Sequence, residues 1–485
     1  MKHVWINPMF FAPGLLWGFF AASHAFAAAD AVDTAISDVR KRLQDIEATK
    51  ATSEPVATSA KAEEKKPYRK KVKKTRDKDK DKDKDKAPKA EASGTPRPEP
   101  VAKTAEPVAT PERTAVAEAP SALKWQFVSK YQFVHVSQSG SSSESFHLEN
   151  VDAKFDLDLD AAMGWKGWRL RTYVLGNFGG APSAVAGDAQ GSSNIEAAGD
   201  FVKIYEAHVE KSFENGAFSV LAGLRDLNAD FYANDAAGLF LNSSFGVGTE
   251  LAHTGVNGPS IFPTTATAIV IKSSSQAGFY MNVGAFDAVA GDLKKPLQSH
   301  FHYDPADGIL SITEAGFSAA APDDKLIEAT KVAIGMWQYS HPVAQISDEA
   351  AQDVNYGAYG IVETALPLRS SLFVRHGFAN PRVNIIASNT AWGFTKSGIL
   401  KSNGGDVIGL AVTEATFGQQ WAETQQDDAR LSAGNRETAI ELTWRIPVME
   451  HVTVQPDFQH IARPSGVKNQ GGPVNVGSVR IDFEF

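Results

Sequence analysis

In the stretch VDAKFDLDLD, residues 151–160, apolar and charged side chains alternate without a break. Successive side chains of a strand point to opposite faces. One face would carry Val151, Ala153, Phe155, Leu157 and Leu159; the other Asp152, Lys154, Asp156, Asp158 and Asp160. Burying the second face in a packed core costs several kcal/mol for each uncompensated charge. A water-filled interior removes that cost. The apolar face can then lie against lipid, where an open sheet edge is not tolerated and the sheet has to close on itself.

The pattern recurs along the chain. Phe218, Val220, Ala222 and Leu224 share a face, as do Phe279, Met281, Val283 and Ala285, and Ile440, Leu442, Trp444 and Ile446. Clusters of Gly, Asn, Asp and Pro separate the runs, such as NDAAG, YDPADG and KSNGGD. Strands of about ten residues, apolar outside and polar inside, are the signature of an outer-membrane barrel. At roughly 22 residues per strand and connection, the chain from Lys124 to Phe485 makes about 16 antiparallel strands, a size that leaves an aqueous channel. The chain ends SVRIDFEF, with Val479, Ile481, Phe483 and Phe485 on the lipid side. This ending, Phe483 and Phe485 above all, resembles the C-terminal signal that outer-membrane proteins present to the barrel-assembly machinery.

Three further segments precede the barrel. Residues 1–27 combine a basic start, an apolar centre and Ala25-Phe26-Ala27, the form of a cleaved secretory signal. Residues 28–50 predict a short helix in which Val32, Ile36, Val39, Leu43 and Ile46 form a heptad seam. The β-branched residues at d favour three or more strands, so a homotrimer is one reading; a helix packed on its own barrel is the other. Residues 51–123 are a charged and Pro/Ala-rich linker with too little apolar surface to fold. Its basic cluster at 65–76 suits contact with the cell wall or another anionic surface, or serves only as a solubilising spacer. The whole extension is expected in the periplasm, and a nucleic-acid partner is not expected.

The block LRDLNADFYANDAAGLFLNSSFGVGTELAHTGVNGPSIFP, residues 224–263, resembles the hallmark of the carbohydrate-selective porin family of Gram-negative outer membranes. Its markers are Asp226-Leu227-Asn228, Leu241 to Gly246 and Asn257 to Ser260. DGILSITEAGF, AIGMWQYS, SLFVRHGFANP, GDVIGLAV and VTVQPDFQHIARPSG continue the likeness to the C-terminus. The resemblance implies a 16-stranded porin of the outer membrane that admits small neutral sugars, glucose above all, by facilitated diffusion. The heptad and charged linker are not part of the family pattern, and Ala462-Arg463-Pro464 stands where Asn-Pro is common.

Sugar passage needs polar side chains that replace part of the hydroxyl hydration, apolar faces for the ring, and weak binding. The candidates for a constriction are Arg225, Asp226, Asn228, Asp230, Arg375, Gln455, Asp457 and Gln459, with Trp337 or Trp392 as ring platforms. The Asn242 to Phe245 block is expected to shape an inward loop rather than to touch sugar. After Leu123 there are 25 basic and 39 acidic residues, which speaks against a phosphate channel and for a mild cation preference. A general, weakly cation-preferring pore and an envelope tether anchored by the barrel remain alternatives. The absence of cysteine excludes thiolate sites and thiol nucleophiles. With no P-loop, nucleophile elbow or HExxH motif, neither an enzyme nor a cofactor or metal site is expected.

Overall fold

The computed structural model describes residues 121–485 apart from 139–142, 198, 214–215, 296–297, 321–328, 401–404, 425–435 and 467–471. The expected leader, heptad helix and all but the last three residues of the linker lie outside the described residues.

Sixteen antiparallel strands close into one barrel. They are β1 Leu123–Gln138, β2 Glu144–Asp158, β3 Trp168–Gly179, β4 Phe201–Phe213, β5 Phe218–Arg225, β6 Ala266–Ser274, β7 Phe279–Asp287 and β8 Ile309–Ala320. The second half is β9 Ala329–Tyr339, β10 Tyr356–Leu366, β11 Ser370–Ala379, β12 Ile386–Ser397, β13 Val407–Phe417, β14 Arg436–Met449, β15 Val452–Ala462 and β16 Val474–Glu484. Each strand pairs with its sequence neighbours, and β1 pairs with β16 from Val128 opposite Glu484 to Gln138 opposite Val474. Closure leaves no row of unpaired backbone groups, as a hydrocarbon environment demands.

The expected alternation is borne out strand by strand. On β16, Ser478 and Arg480 are buried while Val479 is 41% exposed. On β2, Asp152 is buried and bonded to Lys130 across the lumen wall, whereas Phe155 faces out. The acidic run does not continue as strand to Asp160. Asp158 instead caps a short helix, Leu159–Met163, by accepting from the Asp160 and Ala161 amides. That is what a carboxylate at a helix start does best.

Long connections gather at one end of the barrel and short turns at the other. The chain enters β1 and ends after β16 at the short-turn end. There Phe485 exchanges two backbone hydrogen bonds with Phe127 and stacks on His451 at 5.2 Å. The longest connection, residues 226–265 between β5 and β6, turns inward and fills much of the lumen. Leu227, Phe231, Tyr232, Val247 and Leu251 from this segment pack on wall residues Leu221, Val270, Phe286, Leu310, Ile312 and Trp337. The barrel therefore has an apolar core on the inside of the β5–β10 wall, and Ala236, Ala237, Phe240 and Phe245 of the same segment pack on Phe373, Ala391 and Ala411 of β11 to β13, where a porin of this size would otherwise hold water.

Phe231→Ala removes a fully buried ring from this core. It is expected to lower the unfolding free energy by about 3–5 kcal/mol, read from urea unfolding in micelles. A loss under about 1 kcal/mol would mean that the segment is not packed on the wall.

Candidate functional site: the inward segment and the channel beside it

A segment inside the lumen has backbone groups that must be satisfied away from bulk water. Here wall glutamates do this. Glu206 on β4 accepts from the Asp226 amide at 3.0 Å, and Glu314 on β8 from Tyr232 at 2.8 Å. Glu363 on β10 accepts from Asp235 and Ala236, each at 2.9 Å. Glu441 on β14 accepts from Leu241 at 2.6 Å and Asn242 at 3.0 Å. Glu437 does the same for a second inward connection, residues 180–200, at Ala189 and Gln190. Carboxylates accepting backbone N–H groups make short, strong bonds.

The sequence markers inside 224–263 each shape this segment. Asp226 caps the turn Leu227–Ala229 through the Asn228 amide, and Tyr205 donates to its other oxygen at 2.7 Å. Asn242 caps the turn Ser243–Phe245 in the same way. Ser260 ties the base of the segment: its hydroxyl donates to the Arg225 carbonyl and accepts from the Ala266 amide, both at 2.7 Å. The two inward connections are also joined to each other, with the Asn194 amide on the Leu241 carbonyl and the Ser243 amide on the Gly191 carbonyl.

Beside the joined segments runs a channel space of about 1370 Å³. Loop residues Asp188, Glu196, Asp226, Asn228, Asp235, Phe245 and Phe262 line one side, and wall residues Lys130, Arg445, Gln455, Arg480 and Asp482 line the other. It thus offers hydroxyl partners of both signs and the Phe262 ring; the Phe245 ring is buried against Phe240 and Phe373.

The sequence candidates divide into three groups. Asp226, Asn228 and Gln455 line the channel; Gln455 also donates to the Leu239 carbonyl at 2.8 Å. A second group lies behind the segment and holds it. Arg225 forks onto Asp230 at 2.7 and 2.9 Å and reaches Glu206 at 3.3 Å. The Arg375 guanidinium is spent on the carbonyls of Ser244, Phe245 and Gly246 and lies over the Tyr232 ring. Gln459 donates to the Ser192 carbonyl at 2.8 Å and to Asp457 at 3.1 Å. Trp337 faces inward as expected but is 2% exposed beneath the segment, not a platform in the channel. The third group is Trp392 alone, which is a correction. It is 48% exposed beside Phe394, on the opposite face from Asn389 and Thr395. Strand parity, legible from ASNTAWGFT, puts it toward lipid.

Sequence reasoning passed over the five wall glutamates and the channel residues Arg445 and Arg480. A signal was present: a lone glutamate at an inward position of an alternating run, as in SITEAGF, IVETAL and RETAIELTW. Arg480 donates to Gln132 at 2.8 Å and to Asn194 at 2.7 Å, linking β16, β1 and the second inward connection.

Two predictions follow from this latch. Arg375→Ala leaves three carbonyls without a donor, costs about 3 kcal/mol, and raises single-channel conductance as the segment loosens. Arg375→Lys restores this only in part, because an ammonium cannot fork across them. The second concerns Glu250 on the short helix Thr249–Ala252 of the segment. Burial pushes its carboxyl up to about 7, against the opposing effects of the Tyr232 hydroxyl bond and the Arg375 charge. A carboxyl whose folded pKa is raised binds more protons folded than unfolded, so stability falls as pH rises from about 4.5 through 7. Glu250→Gln is expected to flatten that part of the pH–stability curve; an unchanged slope would assign it to another group.

Residues 145–485 match the model of a family described as carbohydrate-selective porin, OprB family. Among solved structures, the chain is similar to the high-pH structure of Pseudomonas putida OprB, at 16% identity over 75% of this chain and 94% of that one, with a TM-score of 0.66. It is also similar to a mutant of the Rh. blastica porin, at 11% identity over 75% of this chain and 100% of that one, with a TM-score of 0.43. No curated protein matches the chain. The family match covers more than half of the sequence and includes both inward connections: this chain belongs to the carbohydrate-selective porin family.

Proposed function

We propose that the protein lets small neutral sugars of the glucose type cross the outer membrane by facilitated diffusion, past a constriction formed by the two joined inward connections. The observation that carries this reading is the 226–265 segment, latched by wall carboxylates so that a channel with polar groups and the Phe262 ring is left beside it. A pyranose offers hydroxyl donors and acceptors around an apolar ring. Asp226, Asn228, Gln455, Arg445 and Arg480 would meet the hydroxyls, and Phe262 a ring face. Contacts of this kind exchange for water at little net gain, which suits release as well as entry. Arg225, Asp230, Arg375, Asp457 and Gln459 would act one layer back, by fixing the segment. The excess of acidic residues after Leu123 supports a mild cation preference.

In this reading the short-turn end faces the periplasm, the N-terminal extension leaves from that end, and Phe483 and Phe485 serve recognition during assembly. The heptad and the 65–76 basic cluster would act as oligomer clamp or envelope contact. Deleting residues 28–123 tests that part: unchanged sugar flux with a weakened envelope would make tethering the task of the extension.

Liposome swelling tests the central reading. Glucose is expected to enter faster than an uncharged amino acid of similar size, and Gln455→Ala or Arg445→Ala to lower that ratio. Rates ordered by size alone would make the protein a general diffusion pore.

A further inference from the structure

Asp188, in the second inward connection, is a carboxylate among carboxylates. Both of its oxygens are shut off from solvent and meet no hydrogen-bond donor among the described residues. The charges that act on it most strongly are those of Glu437 on β14 and Glu196 in the same connection, both acidic. The Ser183 hydroxyl lies beside it but gives its proton to Glu196, at 2.9 Å. Ser192 joins the group. It is 1% exposed, its amide donates to Ser183 Oγ at 3.2 Å, and its own hydroxyl has no partner. An enclosed carboxylate in acidic company is unfavourable until a positive charge meets it.

A proton or a metal ion can supply that charge. The barrel contains a pair of the first kind: Glu441 and Asp457 are hydrogen-bonded carboxyl to carboxyl. Asp188 makes no such bond to Glu196 or to Glu437. Glu437 is committed elsewhere, since its oxygens accept from the amides of Ala189, Gln190 and Ser465. Glu196 accepts only from the amide and hydroxyl of Ser183, so lone pairs remain on both of its oxygens.

The electron pairs on offer are therefore all on oxygen: two carboxylates, Asp188 and Glu196, and the hydroxyls of Ser183 and Ser192. Among the described residues no three carboxylate or imidazole side chains converge on one point, which does not suit zinc. Calcium takes six to eight oxygens in irregular geometry and accepts hydroxyls, carbonyls and water beside its carboxylates. Ser183, Asp188 and Glu196 border the channel, so an ion has a way in.

We propose that Asp188 and Glu196, with the Ser183 hydroxyl, bind a divalent cation of the calcium class. All three come from residues 180–200, so the ion ties the beginning of this connection to its end. It stiffens the rim of the channel next to the amides that Glu437 holds.

The experiment uses the full-length protein in detergent micelles, dialysed against EDTA and then titrated with radioactive calcium chloride in equilibrium dialysis. The parent is expected to take up one calcium ion per chain more than Asp188→Asn, with a Kd of about 0.1–1 mM. Glu196→Gln should weaken that uptake roughly tenfold or more. Glu349→Gln, an exposed carboxylate on the connection between β9 and β10, should leave it unchanged. Calcium should also raise the urea midpoint of the parent and not that of Asp188→Asn. Equal uptake by the parent and Asp188→Asn overturns the proposal, because the bound ions would then belong to surface carboxylates. It is also overturned if calcium moves neither midpoint and Asp188→Asn is the more stable protein, which would mean that a proton alone satisfies the carboxyl.

Discussion

A backbone amide inside a barrel needs an acceptor, and in this protein the wall supplies it as glutamate. Five inward glutamates on four strands each hold one or more amides of the two inward connections. The rest of the interior depends on this. With the amides held, Phe231, Tyr232 and Leu251 can pack against β5 to β10, and Phe240 and Phe245 against β11 to β13. Buried carboxylates without partners would be costly; here the amides of the segment and the carboxylates of the wall satisfy one another. Glu314 shows how completely: it accepts from the Tyr280 and Tyr359 hydroxyls, each at 2.6 Å, and from the Tyr232 amide, with Lys331 at 3.2 Å.

The same arrangement explains why the family markers of the sequence lie where they do. Asp226, Asn242 and Ser260 cap turns and tie the base of the segment. Gly377 on β11 stands where a Cβ would run into the Glu250 carboxyl, so the wall is hollowed to receive the segment. The markers thus describe the shape of the inward segment. The channel beside it is lined by less conspicuous residues such as Arg445, Gln455 and Arg480, spread over three strands.

The barrel was legible in the sequence because strand-length runs of apolar and polar alternation recur from Lys124 to Phe485, the pattern that lipid outside and water inside impose. The strand number followed from length, and the inward parity of Gln455, Asp457 and Gln459 from alternation alone. What alternation cannot give is depth. Arg375 and Trp337 face inward as read, yet lie under a segment whose path is set by contacts more than a hundred residues apart in sequence, such as Arg375 to Phe245. Trp392 was misjudged on residue type where parity had the answer. The wall glutamates read as solvated lumen charge because the partners that bury them are backbone amides, which carry no mark in the sequence.

The most direct measurement is single-channel conductance of a Glu363→Ala, Glu441→Ala double variant in planar bilayers, against the parent protein. The account predicts a folded barrel with higher conductance and with block by glucose lost, because four loop amides lose their acceptors and the segment leaves its seat. Unchanged conductance and unchanged glucose block in a folded barrel would contradict it, since the constriction would then not depend on the wall carboxylates.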